Sequence, residues 1–169
     1  MATAAGVSIE TYLRTEYEPD AEYIDGEIEE RATGEDDHSA WQAAIQKWFF
    51  KHEEEWDVRV RPELRVQTSP TRFRVPDVSI LDAQLPREPI ATHPPIAVFE
   101  ILSPEDTLRR LTRKLRDYAG MGIPEIWVID PETGLFSRFE EDQLMRRTHF
   151  HHAGMGIEFP MAEITVLVR

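Results

Sequence analysis

Ile96-Ala97-Val98-Phe99-Glu100-Ile101-Leu102 is the stretch on which the fold turns. It is a nearly continuous apolar run, closed off by Pro94-Pro95 before it and Ser103-Pro104 after it. A run of this length with such flanks reads as a central strand covered on both faces. Glu100 is the one charged residue inside it. A carboxylate in apolar surroundings is costly unless something pairs with it, and a divalent cation is the usual partner when several such acids converge.

Working outward toward the C-terminus, Pro104 is placed for the first turn of a helix reaching about Ala119. Leu108, Leu111, Leu115 and Tyr118 share one side of it, and Gly120 and Gly122 end it. Glu125 to Asp130 is a second buried strand, Pro131-Glu132-Thr133-Gly134 a turn, and Leu135 to Glu140 with Leu144 to His151 a hairpin. Ile164 to Val168 reads as a last strand. His149 and His151 fall on one face by alternation and His152 on the other, so the three do not converge on one ion.

Toward the N-terminus, four prolines between Asp82 and Pro95 make that segment a loop. Val58 to Gln67 and Arg72 to Leu81 pair as antiparallel strands around Thr68-Ser69-Pro70-Thr71, with Pro62 at a bulge or edge and Asp77 on the second strand. Asp37 can cap a helix whose buried stripe is Trp41, Ile45, Trp48, Phe49 and His52, with His38 at its start. Glu22 to Arg31 reads as a strand with Asp25-Gly26 as a turn or bulge, and Ser8 can cap a short helix through Arg14. The order of elements predicts a mixed α/β fold, a central mixed sheet flanked by helices.

A chain of 169 residues with 41% apolar content fits a single domain, residues 1–169, able to bury about two-thirds of its unfolded surface. No apolar run approaches the roughly twenty residues needed to cross a bilayer, and the N-terminus lacks basic and hydrophobic signal regions, so the expected location is cytoplasmic, with no membrane partner. The absence of cysteine excludes disulfides, thiolate ligands and a cysteine nucleophile; a metal site here must use oxygen or imidazole. The net charge of -13 argues against a protein that coats nucleic acid by bulk attraction. Its distribution tells more: residues 1 to 57 hold sixteen Asp and Glu against Arg14, Arg31, Lys47 and Lys51. Ten of the nineteen basic residues instead sit in two short segments: Arg59, Arg61, Arg65, Arg72 and Arg74 on the hairpin, and Arg109, Arg110, Arg113, Lys114 and Arg116 on the helix. These are either solvated faces balancing acidic neighbours or the walls of a polyanion-facing groove.

Two further acids resemble Glu100 in setting. Asp77 follows Pro76 at the end of an apolar strand, where an acid is otherwise a turn or strand-end residue. Glu22 lies in Ala21-Glu22-Tyr23-Ile24 and could equally pair with Arg31 or with an arginine of a neighbouring strand. His38 could reach such a site from its helix start, or pack within the Trp/Ile stripe.

Glu22, Pro76-Asp77, Glu100-Ile101-Leu102 and Lys114 together resemble the active-site pattern of the PD-(D/E)XK nuclease superfamily. In the order Glu22-Tyr23-Ile24-Asp25-Gly26-Glu27, His38, Pro76-Asp77-Val78, Phe99-Glu100-Ile101-Leu102-Ser103-Pro104, Lys114 with Tyr118, and Gly122-Ile123-Pro124-Glu125-Ile126-Trp127-Val128-Ile129-Asp130-Pro131, the chain is similar to the restriction-endonuclease-like, bacterial Uma-type family. The resemblance implies an Mg²⁺-dependent endonuclease acting on DNA, with Mn²⁺ able to substitute. Asp77, Glu100 and the backbone carbonyl of Ile101 would be ligands, Glu22 an accessory acid, and a homodimer or higher oligomer the form that cuts both strands. Arg72, Arg74, Arg110 and Arg113 would face phosphates. The superfamily's usual lysine, two residues past the second acid, is Leu102 here, and the family supplies the ammonium from the next helix, at Lys114. Chain geometry allows this: about 10 Å back along the strand matches roughly 13 Å forward along a returning helix. Arg110 stands one turn before Lys114, where an acid is the family's expected residue. Alternatives are a non-catalytic binding module on a nuclease fold and a metal-dependent hydrolase of small phosphodiesters.

Overall fold

A computed structural model describes residues 6–32 and 34–169; the N-terminal residues 1–5, read above for a signal region, lie outside them. The elements run α1 (Ile9–Arg14), β1 (Ala21–Ile24), β2 (Glu27–Glu30), α2 (Asp36–Lys51), α3 (Glu53–Trp56), β3 (Val58–Pro62), β4 (Val66–Ser69), β5 (Arg72–Arg74), β6 (Val78–Asp82), β7 (Ala97–Ile101), α4 (Leu108–Met121), β8 (Glu125–Asp130), β9 (Leu135–Glu140), β10 (Gln143–Arg146), β11 (His149–His152), β12 (Ile157–Pro160) and α5 (Ala162–Thr165). The fold is mixed α+β, as expected. A six-stranded mixed sheet has the order β10-β9-β8-β7-β6-β3, and β7 with β8 is its parallel pair. A four-stranded sheet of order β2-β1-β5-β4 stands beside it, and β11-β12 forms a two-stranded sheet.

β7 is central because it is apolar on both faces. Ala97, Phe99 and Ile101 join the core under α2 with Trp41, Ile45, Trp48 and Phe49. Val98 faces the opposite way, into a core with Leu115 and Tyr118 of α4 and Ile126 and Val128 of β8. The period-two alternation of a strand makes this division. Among the described residues no helix is long and apolar enough to cross a membrane.

Four expectations change in detail. The predicted single hairpin from Val58 to Leu81 opens in the middle: β3 pairs with β6 in the six-stranded sheet, and β4 with β5 in the four-stranded one, in the same register up to a shift between Gln67 and Ser69. Glu63 at φ 50° and Pro76, which has no N–H to offer a ladder, mark the opening. Asp77 consequently sits at the junction of the two sheets. Helix α4 begins at Leu108, because Thr107 caps it by accepting from the Arg110 N–H while Ser103 and Asp106 bond each other in a preceding turn. Pro104 belongs to that turn.

At the C-terminus β10 completes the expected hairpin, but β11 pairs with β12, a strand the sequence pattern did not indicate. Segment 164–168 is not a strand. Met161, Ile164, Leu167 and Val168 recur at helical spacing and pack on the α2 core, whereas Val166, which strand alternation would have placed beside Ile164, is 72% exposed.

Candidate active site

Because Glu100 lies two residues after Val98, it faces α4. Lys114 and Tyr118 stand one turn apart on the helix face that meets it. The Tyr118 hydroxyl donates to Glu100 Oε1 at 2.6 Å, and Lys114 Nζ donates to Oε2 at 2.9 Å. Leu102 shares the face of Glu100 and packs against the α4 core, so the ammonium arrives from the helix. Lys114 Nζ also lies 2.8 Å from Glu22 Oε1 and donates to the Val75 carbonyl at 3.3 Å. One buried ammonium thereby joins acids from β1 and β7.

Glu22 is fixed twice more. Its Oε1 accepts the Val75 N–H at 2.9 Å, and its Oε2 accepts from Arg74 Nη1 at 2.9 Å. Asp77 is held from both sides of the sheet junction. Its Oδ2 accepts the Ile101 N–H at 2.7 Å, and its Oδ1 lies 2.6 Å from Arg31 Nη2 and 3.2 Å from His38 Nε2. Gln42 of α2 donates to its backbone carbonyl at 3.0 Å. Leu102 N–H turns toward β8, where it bonds the Ile129 carbonyl, so the N–H and C=O of Ile101 both point the other way, past the end of β6. The Ile101 carbonyl and Asp77 therefore border the same gap. Glu22, Asp77, Glu100, Ile101 and Lys114 line one cavity of about 720 Å³, with Arg31 and His38 on its wall.

The three acids differ electrostatically. Burial drives the Glu100 carboxyl up to about 7; Lys114 pulls it down, while Asp77 and Glu22 push it up. Burial also penalises the charged form of Asp77, but His38, Lys114 and Arg31 outweigh it and hold that carboxyl below its usual range. For Glu22 burial is likewise outweighed, by Lys114 and Arg74. Lys114 is desolvated, which favours the neutral amine, yet Glu100, Glu22 and Asp77 raise its pKa and keep it an ammonium.

The raised value at Glu100 has a definite sign. A carboxyl that titrates higher when folded binds its proton more tightly in the native state, so its contribution is full below the unfolded value, about 4.3. That contribution disappears as pH rises through about 7. Metal-free protein should lose denaturation free energy between pH 5 and 8 that Glu100→Gln retains. Urea titrations of both proteins across that range measure the difference, and parallel curves would contradict the assignment.

The arginines expected at phosphates divide into two groups. Arg74 is enclosed, 1% exposed, with Nη1 on Glu22 and Glu29 and Nε donating to Asp117 at 2.7 Å. Arg72 bonds Asp25 and Asp117. Both pair with carboxylates within the protein. Arg110 and Arg113 of α4 are half-exposed and engage Glu29, and Arg110 lines the cavity. The neighbouring-strand partner of Glu22 is thus Arg74, while Arg31 reaches Asp77. Arg31, Gln42 and Tyr118 were not read from sequence as site residues. Only Tyr118 carried a signal, its position one turn after Lys114.

Among the described residues, no three Asp, Glu or His side chains already surround a common point in the manner of ion ligands. The carboxylate oxygens turn instead to the neighbouring cations and N–H groups.

A search of curated proteins finds no match. Among solved structures, the chain is similar to one described as "a putative nuclease belonging to DUF820 from Anabaena variabilis ATCC 29413", at 22% identity and TM-score 0.80, covering 96% of this chain and 99% of that one. That likeness shows the fold. A cryo-EM DrdV–DNA complex aligns at 15% identity and TM-score 0.47 over 80% of this chain and 12% of its own, too low to carry any argument. The model of the Uma2 family, described as "Putative restriction endonuclease", matches residues 9–162, and the chain therefore belongs to that family.

Proposed function

We propose that the protein is a divalent-metal-dependent endonuclease that hydrolyses DNA phosphodiesters. The observation that carries this reading is the meeting of Glu22, Asp77 and Glu100, from three separate segments, with a single lysine ammonium in one polar cavity. Lys114 is shared between Glu22 and Glu100, Arg74 and Arg31 pair with Glu22 and Asp77, and burial drives the Glu100 carboxyl up to about 7. Hard oxygen donors converging from separate segments fit Mg²⁺, or Mn²⁺ in its place. Asp77, Glu100 and the Ile101 carbonyl would hold the ion, with Glu22 accessory. When bound, it would supply Lewis acidity and a more acidic water beside the scissile phosphate.

The chain's own residues do the rest. The Ile101 N–H holds one oxygen of Asp77 and the Tyr118 hydroxyl one oxygen of Glu100. Lys114, being protonated, cannot accept a proton from water; it acts as a fixed positive charge where negative charge develops on the phosphate oxygens. Arg110 and Arg113 would meet the DNA backbone at the rim. A twofold homodimer would present two such sites to the two strands.

Nicking of supercoiled plasmid tests the reading. Wild-type protein is expected to convert plasmid to the open circle in Mg²⁺ or Mn²⁺ and not in chelator, and Asp77→Ala and Glu100→Ala are expected to lose that conversion. Equal nicking by all three proteins would place the activity elsewhere.

A further inference from the structure

Asp77 is held at one oxygen by the guanidinium of Arg31, an arginine that lies on the cavity wall. Its Oδ2 is spent on the Ile101 N–H, which leaves Oδ1 as the oxygen available to a ligand; Arg31 Nη2 stands 2.6 Å from it and His38 Nε2 3.2 Å. Arg31 follows β2 and is not locked on other sides: its second carboxylate neighbour, Glu63, is 3.5 Å from Nη1 and half-exposed. This contrasts with Arg74, whose nitrogens are enclosed by carboxylates of three different segments. Arg31 and Lys114 also divide the floor between them. Lys114 serves Glu22 and Glu100, and Arg31 serves Asp77.

We propose that Arg31 is an exchangeable counter-ion: it occupies Asp77 in the metal-free protein, leaves when a divalent cation takes that carboxylate, and then binds a phosphate oxygen of the substrate. The inference rests on the metal-dependent nuclease reading. Two like charges on one carboxylate oxygen repel each other in a poorly screened site, so guanidinium and dication exclude one another. A displaced arginine remains tethered at the cavity wall, and its planar fork suits a phosphodiester as well as a carboxylate. The arrangement keeps the acid neutralised without metal and turns the neutralising group toward substrate once metal is present.

Calorimetric titration with Mn²⁺ alone tests the exchange, using wild type, Arg31→Gln and Arg31→Lys, each checked for folding by circular dichroism. Removing the guanidinium should tighten Mn²⁺ binding by about tenfold or more, with Arg31→Lys between that variant and wild type. A second measurement follows duplex DNA binding in Ca²⁺, where Arg31→Gln should bind several-fold more weakly than wild type, and in chelator, where the two should match. Unchanged or weaker Mn²⁺ binding by Arg31→Gln, with normal binding by wild type, overturns the exchange and leaves the metal reading standing. Weaker DNA binding in both Ca²⁺ and chelator would make Arg31 an ordinary phosphate contact and overturn the exchange too. Absence of Mn²⁺ binding by wild type and by every variant would remove the metal reading itself, and this inference with it. Arg31→Lys keeps a cation at the position, so the comparison survives if Arg31→Gln fails to fold.

Discussion

Lys114→Met should lower plasmid nicking by about two to three orders of magnitude, the size of effect seen when one preorganised charge or donor is taken from a developing oxyanion. Lys114 is the single cation that touches both Glu22 and Glu100, 2.8 and 2.9 Å away, and among the described residues no other cation forms an ion pair with Glu100. Methionine keeps much of the stem's volume, so the α4 packing around Leu115 and Tyr118 remains. The Glu100 carboxyl, already at about 7, should rise further once its largest charge-favouring partner is gone. Activity should therefore fall most near neutral pH and recover partly on the alkaline side, where Glu100 ionises again. Nicking rates from pH 6 to 9 for wild type and Lys114→Met check both features. A variant within threefold of wild type throughout would show that the ammonium serves the fold and not the reaction.

The position of that lysine illustrates what sequence could and could not provide. The central strand was readable because an apolar run flanked by prolines has few other solutions, and the face of Glu100 follows from alternation once β7 is known to be covered by both α2 and α4. Helix α4 was readable from Leu111, Leu115 and Tyr118, which carried Lys114 to the right height. Which arginine serves which acid was not readable: a neighbouring-strand arginine was open for Glu22, but not that it would be Arg74, nor that Arg31 would go to Asp77. Arg31 and Arg74 are separated from Asp77 and Glu22 by dozens of residues, and no local pattern distinguishes an arginine that plugs an acid from one that faces solvent. The hairpin containing Asp77 was readable in register but not in its division between two sheets, because Pro76 states only that the ladder is interrupted there. At the C-terminus, Ile164 to Val168 is short enough for either period, and packing against α2 selected the helical one.

Arg74→Ala should cost about 3–5 kcal/mol of folding stability, the range for removing one partner from a buried charge network. The side chain is 1% exposed and lies between Glu22, Glu29 and Asp117, so its loss strands acids that water cannot reach freely. Glu22 keeps Lys114 and the Val75 N–H, and Asp117 keeps Arg72, so the network is weakened, not abolished. Against the 5–15 kcal/mol typical of a domain, such a loss is large. The pair Arg116–Asp142 provides the contrast, since both side chains are more than half exposed and Arg116→Ala should leave stability close to that of wild type. The pH dependence has a sign opposite to that of Glu100. Glu22 titrates below its ordinary value when folded, so its contribution is present above the unfolded value and is lost as pH falls through the folded one. Arg74→Ala should therefore differ most from wild type above about pH 5 and converge with it in acid. Urea denaturation at pH 7 and pH 3.5 measures both ends. A cost below 1 kcal/mol at pH 7 would mean that the carboxylates around Arg74 are solvated or protonated, and that Glu22 is not held as a buried carboxylate in the candidate site.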